Sequence, residues 1–447
     1  MHAICPLQQV EEIPVSAIFR AEATGYWLRI RQFTPNVRKL ILSNVTRAFA
    51  WGITSTILNI YLLILGYSNA FLGVLMSLNA FSMAISSIAA GTYASRVGPK
   101  YSIIVGLLTS AICGFTRVVF PFPDVLMITA VLAGLGAALI NVSYGPLMTR
   151  SCTAYERTHA FGTSHSLTIL SSFFSNTLAG FLPGVIALFL GIPFGSALAL
   201  QLALLAHVIP LALSIIPMFT IHELEAPASN PMNEIQSELT PVQRNAVRKI
   251  ALKFGIVNLL IGLGAGFVIP YLSIFFWEFY NLPLPIIGLV QGLGSLSVAI
   301  GTFLSPVLST RIGKVKTVLF SQALSLPFLL FIATIINPYI AIASYVLRVV
   351  LMNAGGPVDR TLRMELTPEH WRPNMEAVTS FAWNFPWAFS TLVTGPLFDL
   401  ELYLVPFWFT LTSYSAATVF YAAFFWKIEE SQRKFTVNRN KNDMGQE

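Results

Sequence analysis

Roughly a dozen apolar stretches, each about twenty residues long and separated by short polar turns, run from Leu40 to Trp426 of this 447-residue chain. Twenty residues of α-helix extend about 30 Å, the thickness of a bilayer's hydrocarbon core. In that medium every backbone N–H and C=O must be bonded inside the segment, so helix is the form such stretches take. The pattern predicts an all-α membrane protein of twelve transmembrane helices. Their spans are 40–65, 70–93, 101–120, 124–148, 160–187 and 196–220, then 250–279, 285–308, 316–335, 339–360, 376–398 and 401–426.

Composition points the same way, with 55% hydrophobic residues, 11% charged residues and a mean hydropathy of +0.69. A soluble domain of this make-up would leave more apolar surface than water tolerates. The net charge of +7 does not imply nucleic acid, because the basic residues sit at alternate helix ends. Cys5, Cys113 and Cys152 form neither an even set nor a metal-binding spacing, which argues against disulfide and zinc frameworks and leaves no metal or cofactor expected. The first 35 or so residues hold no apolar core of a signal peptide, so the first helix is expected to act as the insertion signal. No P-loop, Gly-x-Ser-x-Gly elbow or His-Glu-x-x-His helix occurs, and neither ATP-driven transport nor membrane enzymology has a residue set to stand on.

The chain divides into a cytoplasmic segment 1–39, a six-helix bundle 40–220, a linker 221–249, a second bundle 250–426 and a tail 427–447. Ile13, Val15, Ile18, Phe19, Trp27 and Leu28 alternate with Arg20, Arg29 and Arg31, as in an interfacial helix; a disordered tail is the alternative. Thr240-Pro241 in the linker reads as a helix start, a capping hydroxyl before a first-turn proline. Basic residues recur at the N-terminus, at Arg96 and Lys100, at Arg150 and Arg157, in the linker, at Arg311, Lys314 and Lys316, at Arg360, Arg363 and Arg372, and in the tail. The intervening turns carry none. By the positive-inside rule both termini are cytoplasmic, in the plasma membrane.

Ser95-Arg96-Val97-Gly98-Pro99-Lys100 and Thr310-Arg311-Ile312-Gly313-Lys314 place the same polar, Arg, aliphatic, Gly order at equivalent turns, about 215 residues apart. Duplicated halves related by an axis along the membrane normal put a binding site at their midplane interface. With this repeat the chain resembles the major facilitator superfamily over essentially its whole length. The family's signature between helices two and three is matched by Gly91, Arg96, Gly98 and Lys100, and in the second half by Arg311, Gly313 and Lys314. Ser95 and Thr310 stand at the acidic positions, Pro99 at the first basic position and Pro306 at the first glycine of the second copy. The family's charged latch on the cytoplasmic side thus has no acidic residue here. Gly262, Gly264, Gly266, Pro270 and Tyr271 resemble the family's glycine-rich seventh helix, whereas residues 130–138 lack the arginine that drug/proton antiporters often carry. The resemblance implies two pseudo-symmetric six-helix bundles, a cargo site lined by helices one, four, seven and ten, and alternating access.

A polar group at membrane depth costs enough to need a reason. Arg348 lies near mid-depth of its span; it would hold a carboxylate or phosphate of cargo through paired hydrogen bonds, or make a fixed interhelix bond. Arg47 lines a cavity with Asn44, or snorkels to the interface. Asn141 and Tyr144 precede Gly145-Pro146 as Asn353 precedes Gly356-Pro357, which reads as a pair of symmetry-related bends. Tyr271 and Trp383 complete the substrate-binding candidates. Asp359 is the candidate coupling carboxylate or, alternatively, an ion-pair partner of Arg360 or Arg363. The expected activity is secondary transport of a small organic solute, anionic or zwitterionic cargo favoured, by a monomer coupled to a proton or sodium ion. The rivals are efflux or flipping of an amphiphile, and a non-transporting receptor or scaffold.

Overall fold

The computed structural model describes residues 33–153, 156–221, 241–368 and 371–443. The amphipathic stretch before Phe33 and most of the linker lie outside them. Among the described residues the helical segments group into twelve rods. The first half comprises α1 (Pro35–Ile64), α2 (Asn69–Val97), α3 (Pro99–Val119), α4 (Pro123–Ser151), α5 (Arg157–Leu190) and α6, the last in three pieces, Ala197–Leu205, Val208–Leu213 and Ile215–Phe219. The second half begins with α7, Pro241–Val268, continued through a 3-10 turn at Ile269–Tyr271 into Leu272–Glu278. It goes on with α8 (Leu284–Ile312), α9 (Lys314–Thr334), α10 (Pro338–Ala354 and Gly356–Glu365), α11 (Arg372–Asp399) and α12 (Leu404–Asp443).

Ten of these rods, α1 to α10, are long and apolar enough to cross a membrane. Their boundaries fall where local chemistry sets them. Proline occupies the first turn of α1, α3 and α4, where its missing N–H is not needed. Ser68 caps α2 by accepting the Phe71 N–H at 3.2 Å. Gly98 and Gly313 are each the single residue between two helices, with φ of 97° and 98°, a conformation that penalises any other side chain. The repeat read in the sequence is therefore also a repeat of backbone geometry. The described part of helix seven begins at Pro241, and α12 continues beyond residue 427, where the tail was expected, to Asp443.

Each half packs by the same scheme. α1 lies against α5 and α6, as α7 lies against α11 and α12; α4 lies against α2 and α3, as α10 lies against α8 and α9. The halves meet along two seams, α2 with α11 and α5 with α8. Asymmetry enters at the glycine-proline pairs: α4 passes unbroken through Pro146, whereas α10 is interrupted at Gly355. Of the two places where bends were expected, α10 shows an interruption, while α4 keeps Pro146 inside a continuous helix.

Candidate functional site

Small residues bring the seams together, and only over part of their length. On α5 and α8, Gly180 and Gly288 meet backbone to backbone, and the Asn176 amide donates to Ser295 at 3.1 Å. On α2 and α11, Asp399 accepts the N–H groups of Asn69 and Ala70 at 2.7 and 2.9 Å, Ser77 donates to the Ala388 carbonyl at 2.7 Å, and Phe81 meets Phe385 edge to face at 5.6 Å. Further along these rods, Ile85, Ile88 and Phe303 stand 72%, 80% and 75% exposed. The hydrophobic cores divide accordingly. One core joins both halves, with Ile57, Tyr61 and Leu72 packed with Tyr271, Phe275 and Ile287. Toward the face bearing the two ends of the rods, each half has a core of its own, around Leu40, Ile104 and Met148 in one and Phe254, Val318 and Tyr421 in the other. The molecule is shut on one face and parted on the other.

Within the second half, Arg348 is 4% exposed, packed among Tyr345 and Tyr414, with its guanidinium 5.7 Å from the Tyr414 ring centre. The guanidinium bonds the Tyr414 side chain of α12, while its Nε and Nη2 have no hydrogen-bond partner. Asn353, one turn further, turns its amide back to the Val349 carbonyl at 2.8 Å. Asp359 lies beyond the Gly355 break, 4.0 Å from Arg363, which is 3.9 Å from Glu376; Arg360 donates to Glu376 at 3.1 Å. Asp359 thus stands at ion-pair distance from Arg363. Trp383 stacks on Trp387 at 6.1 Å, against the core of its own half. Tyr271 is fully buried in the closed seam, its hydroxyl donating to the Thr391 carbonyl at 3.0 Å. It serves the closure in this state.

In the first half Arg47 is half-buried and donates to Asn44 at 2.9 Å. The Asn44 amide donates to Thr168 at 3.0 Å and Ser164 at 3.3 Å, and Ser164 shares a 2.5 Å bond with the Tyr144 hydroxyl. α1, α4 and α5 are thereby joined by one polar cluster beside a small gap lined by Leu40, Ser43, Ile103 and Met218. Asn141 is exposed, its amide 3.8 Å from the Met83 sulfur.

The signature residues tie each half to itself. Lys100 donates to the Ile221 carbonyl at 2.6 Å and the Phe219 carbonyl at 3.3 Å, holding the end of α6, and Lys314 pairs with Glu365 on α10. Arg96 and Arg311 are exposed in the last turns of α2 and α8, and Gly91 is half-buried with Val142 3.8 Å from its would-be Cβ. Ser95 bonds the Thr92 carbonyl of its own helix.

Two polar groups that join the halves escaped the sequence reading. Asn176 accepts from Ser55 at 3.3 Å and Thr56 at 3.1 Å while donating to Ser295, linking α1, α5 and α8. Glu278 accepts from the Asn69 amide at 3.1 Å beside the Asp399 cap. The only signal for the second was a pair of carboxylates at the ends of neighbouring rods.

Several solved structures share this architecture. The nucleoside transporter NupG, as its D323A mutant, superposes with a TM-score of 0.68 at 13% identity over 87% of this chain and 99% of that one. A bacterial homologue of the iron transporter ferroportin in its inward-facing state gives 0.63 at 17%, over 87% and 98%. A bacterial homologue of the human lysosomal transporter Spinster, inward-facing and unoccupied, gives 0.65 at 13%, over 91% and 98%. In sequence, the quinolone resistance protein NorA of Staphylococcus aureus is 29% identical over 111 residues, which are 25% of this chain and 29% of that protein. The match thus spans less than a third of that relative's length. The family model described as Major Facilitator Superfamily matches residues 40–391. The chain belongs to the Major Facilitator Superfamily, as a multi-pass membrane protein.

Proposed function

We propose that this chain is a secondary active transporter that carries a small organic solute between its halves by alternating access, with anionic or zwitterionic solutes favoured. The observation that carries the reading is the unequal join of the halves, one shared core on the closed face and two separate cores on the other. Two bundles shut at one end and parted at the other constitute one of a pair of states, and exchanging the shut end moves a midplane site from one side to the other. The basic residues on the parted face support assigning it to the cytoplasm, with both termini there and the plasma membrane around the bundle. α11 and α12 count as the eleventh and twelfth crossings because each packs along α7 inside the bundle.

The preference for a negative group rests on Arg348. A guanidinium 4% exposed with two unpartnered nitrogens presents donors that a carboxylate or phosphate satisfies. Arg47, half-buried and bonded to Asn44 beside Tyr144, is a second cationic group that can face an anion. Asn141, Asn353 and Trp383 join them as binding candidates, Tyr271 and the signature residues as parts of the gates, and Asp359 as the carboxylate for a coupling proton or sodium ion. The protein acts as a monomer without a cofactor.

Export of an amphiphile is the second reading, favoured by the 111-residue similarity to a protein named for quinolone resistance. Thermal unfolding of the purified protein with carboxylates, phosphates, amino-acid-like zwitterions and cationic amphiphiles separates the two. Stabilisation by one anionic class that disappears in Arg348→Ala and returns in part in Arg348→Lys is expected. Equal stabilisation of wild type and variant by amphiphiles alone would decide for export.

A further inference from the structure

We propose that Gly162 of α5 is the crossing point at which the parted face shuts, receiving Pro306 of α8, the residue that stands where the first copy of the repeat has Gly91. The proposal rests on the alternating-access reading and adds to it a surface on which the halves meet in the second state.

The shut contacts fix the geometry. Gly180 of α5 and Gly288 of α8 cross backbone to backbone, a Cβ on Gly180 lying 2.9 Å from the Gly288 Cα. Thr177 meets Gly292, and Asn176 bonds Ser295 at 3.1 Å, so the contact runs in opposite directions along the two helices. Helix residues eighteen apart are five turns apart and point the same way, with about 27 Å between them along the axis. Gly162 is eighteen residues from Gly180, and Pro306 is eighteen from Gly288. Both therefore lie on the facing sides of α5 and α8, at one level on the parted face. At the same stagger, one turn nearer the shut contact, Ser166 stands against Thr302. Gly162, Ser166 and Pro306 are all exposed in this state.

Gly162 has no use in the state described. A Cβ built on it meets nothing within 4 Å, whereas a Cβ on Gly73, Gly180, Gly288 or Gly395 in the shut seams comes within 3.0 Å of backbone. Its own backbone is ordinary helix, so no turn requires a glycine there. Inside a helix glycine is less favourable than alanine, and its place calls for a close approach made in another state. The other seam has the same spacing. Gly91 lies eighteen residues from Gly73 on α2, with only Val142, at 3.8 Å, near its would-be Cβ. In the second copy that position is Pro306, whose ring is bulk that cannot rotate aside. Two helices with fixed bulk on one of them approach closely only where the other gives up its side chain. The glycine has accordingly changed helices, from α8 to α5.

The test traps closure as a disulfide in nanodiscs, with Cys5, Cys113 and Cys152 replaced by alanine, Ser166→Cys and Thr302→Cys introduced, and a protease site inserted in the linker. Copper phenanthroline oxidises the pair when its Cα atoms come within about 7 Å, and cleavage after denaturation shows which chains have their halves joined. This pair is expected to crosslink, and Leu167→Cys with Thr302→Cys, on another side of α5, to do so far more slowly. Gly162→Ala is expected to slow the first pair on the order of tenfold by overpacking the crossing, and Pro306→Gly added to it to restore most of the rate. The melting temperature of Gly162→Ala is expected to hold or rise, since alanine is the better helix former and the parted state has room for it. Spin labels at Phe122 and Ile336, 63% and 87% exposed on the closed face, one in each half, are expected to keep their shorter distance in Gly162→Ala. A crosslinking rate indifferent to Gly162→Ala, no gain from Pro306→Gly, a lowered melting temperature or a lengthened distance overturns the proposal. Unslowed crosslinking in Gly162→Ala leaves alternation standing without the glycine; no trapped pair in any folded variant removes the alternation itself.

Discussion

Gly288→Ala is expected to pry the closed face apart while leaving each half folded. A Cβ on Gly288 would lie 2.7 Å from the Asn176 carbonyl oxygen and 2.7 Å from the N and Cα of Gly180, where ordinary contact begins at 3.4 Å. The obstructing atoms are backbone and cannot rotate aside, so α5 and α8 must separate by about 0.7 Å or carry the overlap. Overpacking of this kind costs about 1–3 kcal/mol. The cost falls on the shut state alone, because a parted seam has room for the methyl group. At about 1.4 kcal/mol per factor of ten, the ratio of shut to open molecules should fall roughly 5- to 150-fold. Distances between labels at Phe122 and Ile336 report that ratio, and thermal unfolding reports the integrity of the halves. Gly180→Ala should act alike, and the double variant less than additively, since both methyl groups enter one contact. A lowered melting temperature with no change in distance would refute the reasoning, because it would make the seam a permanent joint.

Asn176→Leu should cost only about 1 kcal/mol in thermal unfolding, since Ser55, Thr56 and Ser295 each keep a second bond to their own helix; a loss several times larger would mean Asn176 is the main bond between α1 and α8. Arg348→Met should raise the melting temperature, by about 1 kcal/mol of stability, while abolishing stabilisation by anions, because it removes two unpartnered buried nitrogens; a destabilised protein would assign Arg348 a structural bond. Lys100→Met should speed amide exchange around Phe219 to Ile221 with under about 1 kcal/mol lost globally, and unchanged exchange there would dismiss the lysine as the cap of α6. Asp359→Asn should abolish uptake driven by a pH gradient and leave solute exchange intact; persistent gradient-driven uptake would place coupling elsewhere.

The helices were legible because hydropathy in a bilayer is a one-dimensional signal, and the repeat because Gly98 and Gly313 each answer a local conformational need. The seams were not legible. Gly180 and Gly288 are ordinary glycines until α5 and α8 are laid side by side, and Asp399 is an end-of-helix carboxylate until α11 brings it to α2. Arg348 stood out by its depth alone, yet its neighbour Tyr414 comes from another helix and could not be named from spacing. The break in α10 shows a further limit. Both halves carry a Gly-Pro pair at matching places, but Tyr144 precedes the first and Gly355 the second, and Gly355 packs against Ser321 and Val318 of α9 where the helix is interrupted.

That interruption makes the two halves mechanically unlike. α4 runs as one helix through Pro146; α10 carries a joint at Gly355, with the buried Arg348 on one side and the Asp359–Arg363 pair on the other. When the molecule exchanges its openings, the second half can fold at that knuckle as it turns. Movement around Arg348 and loosening of the charged rim then become separable, and a mutation that stiffens residues 354–357 should couple them.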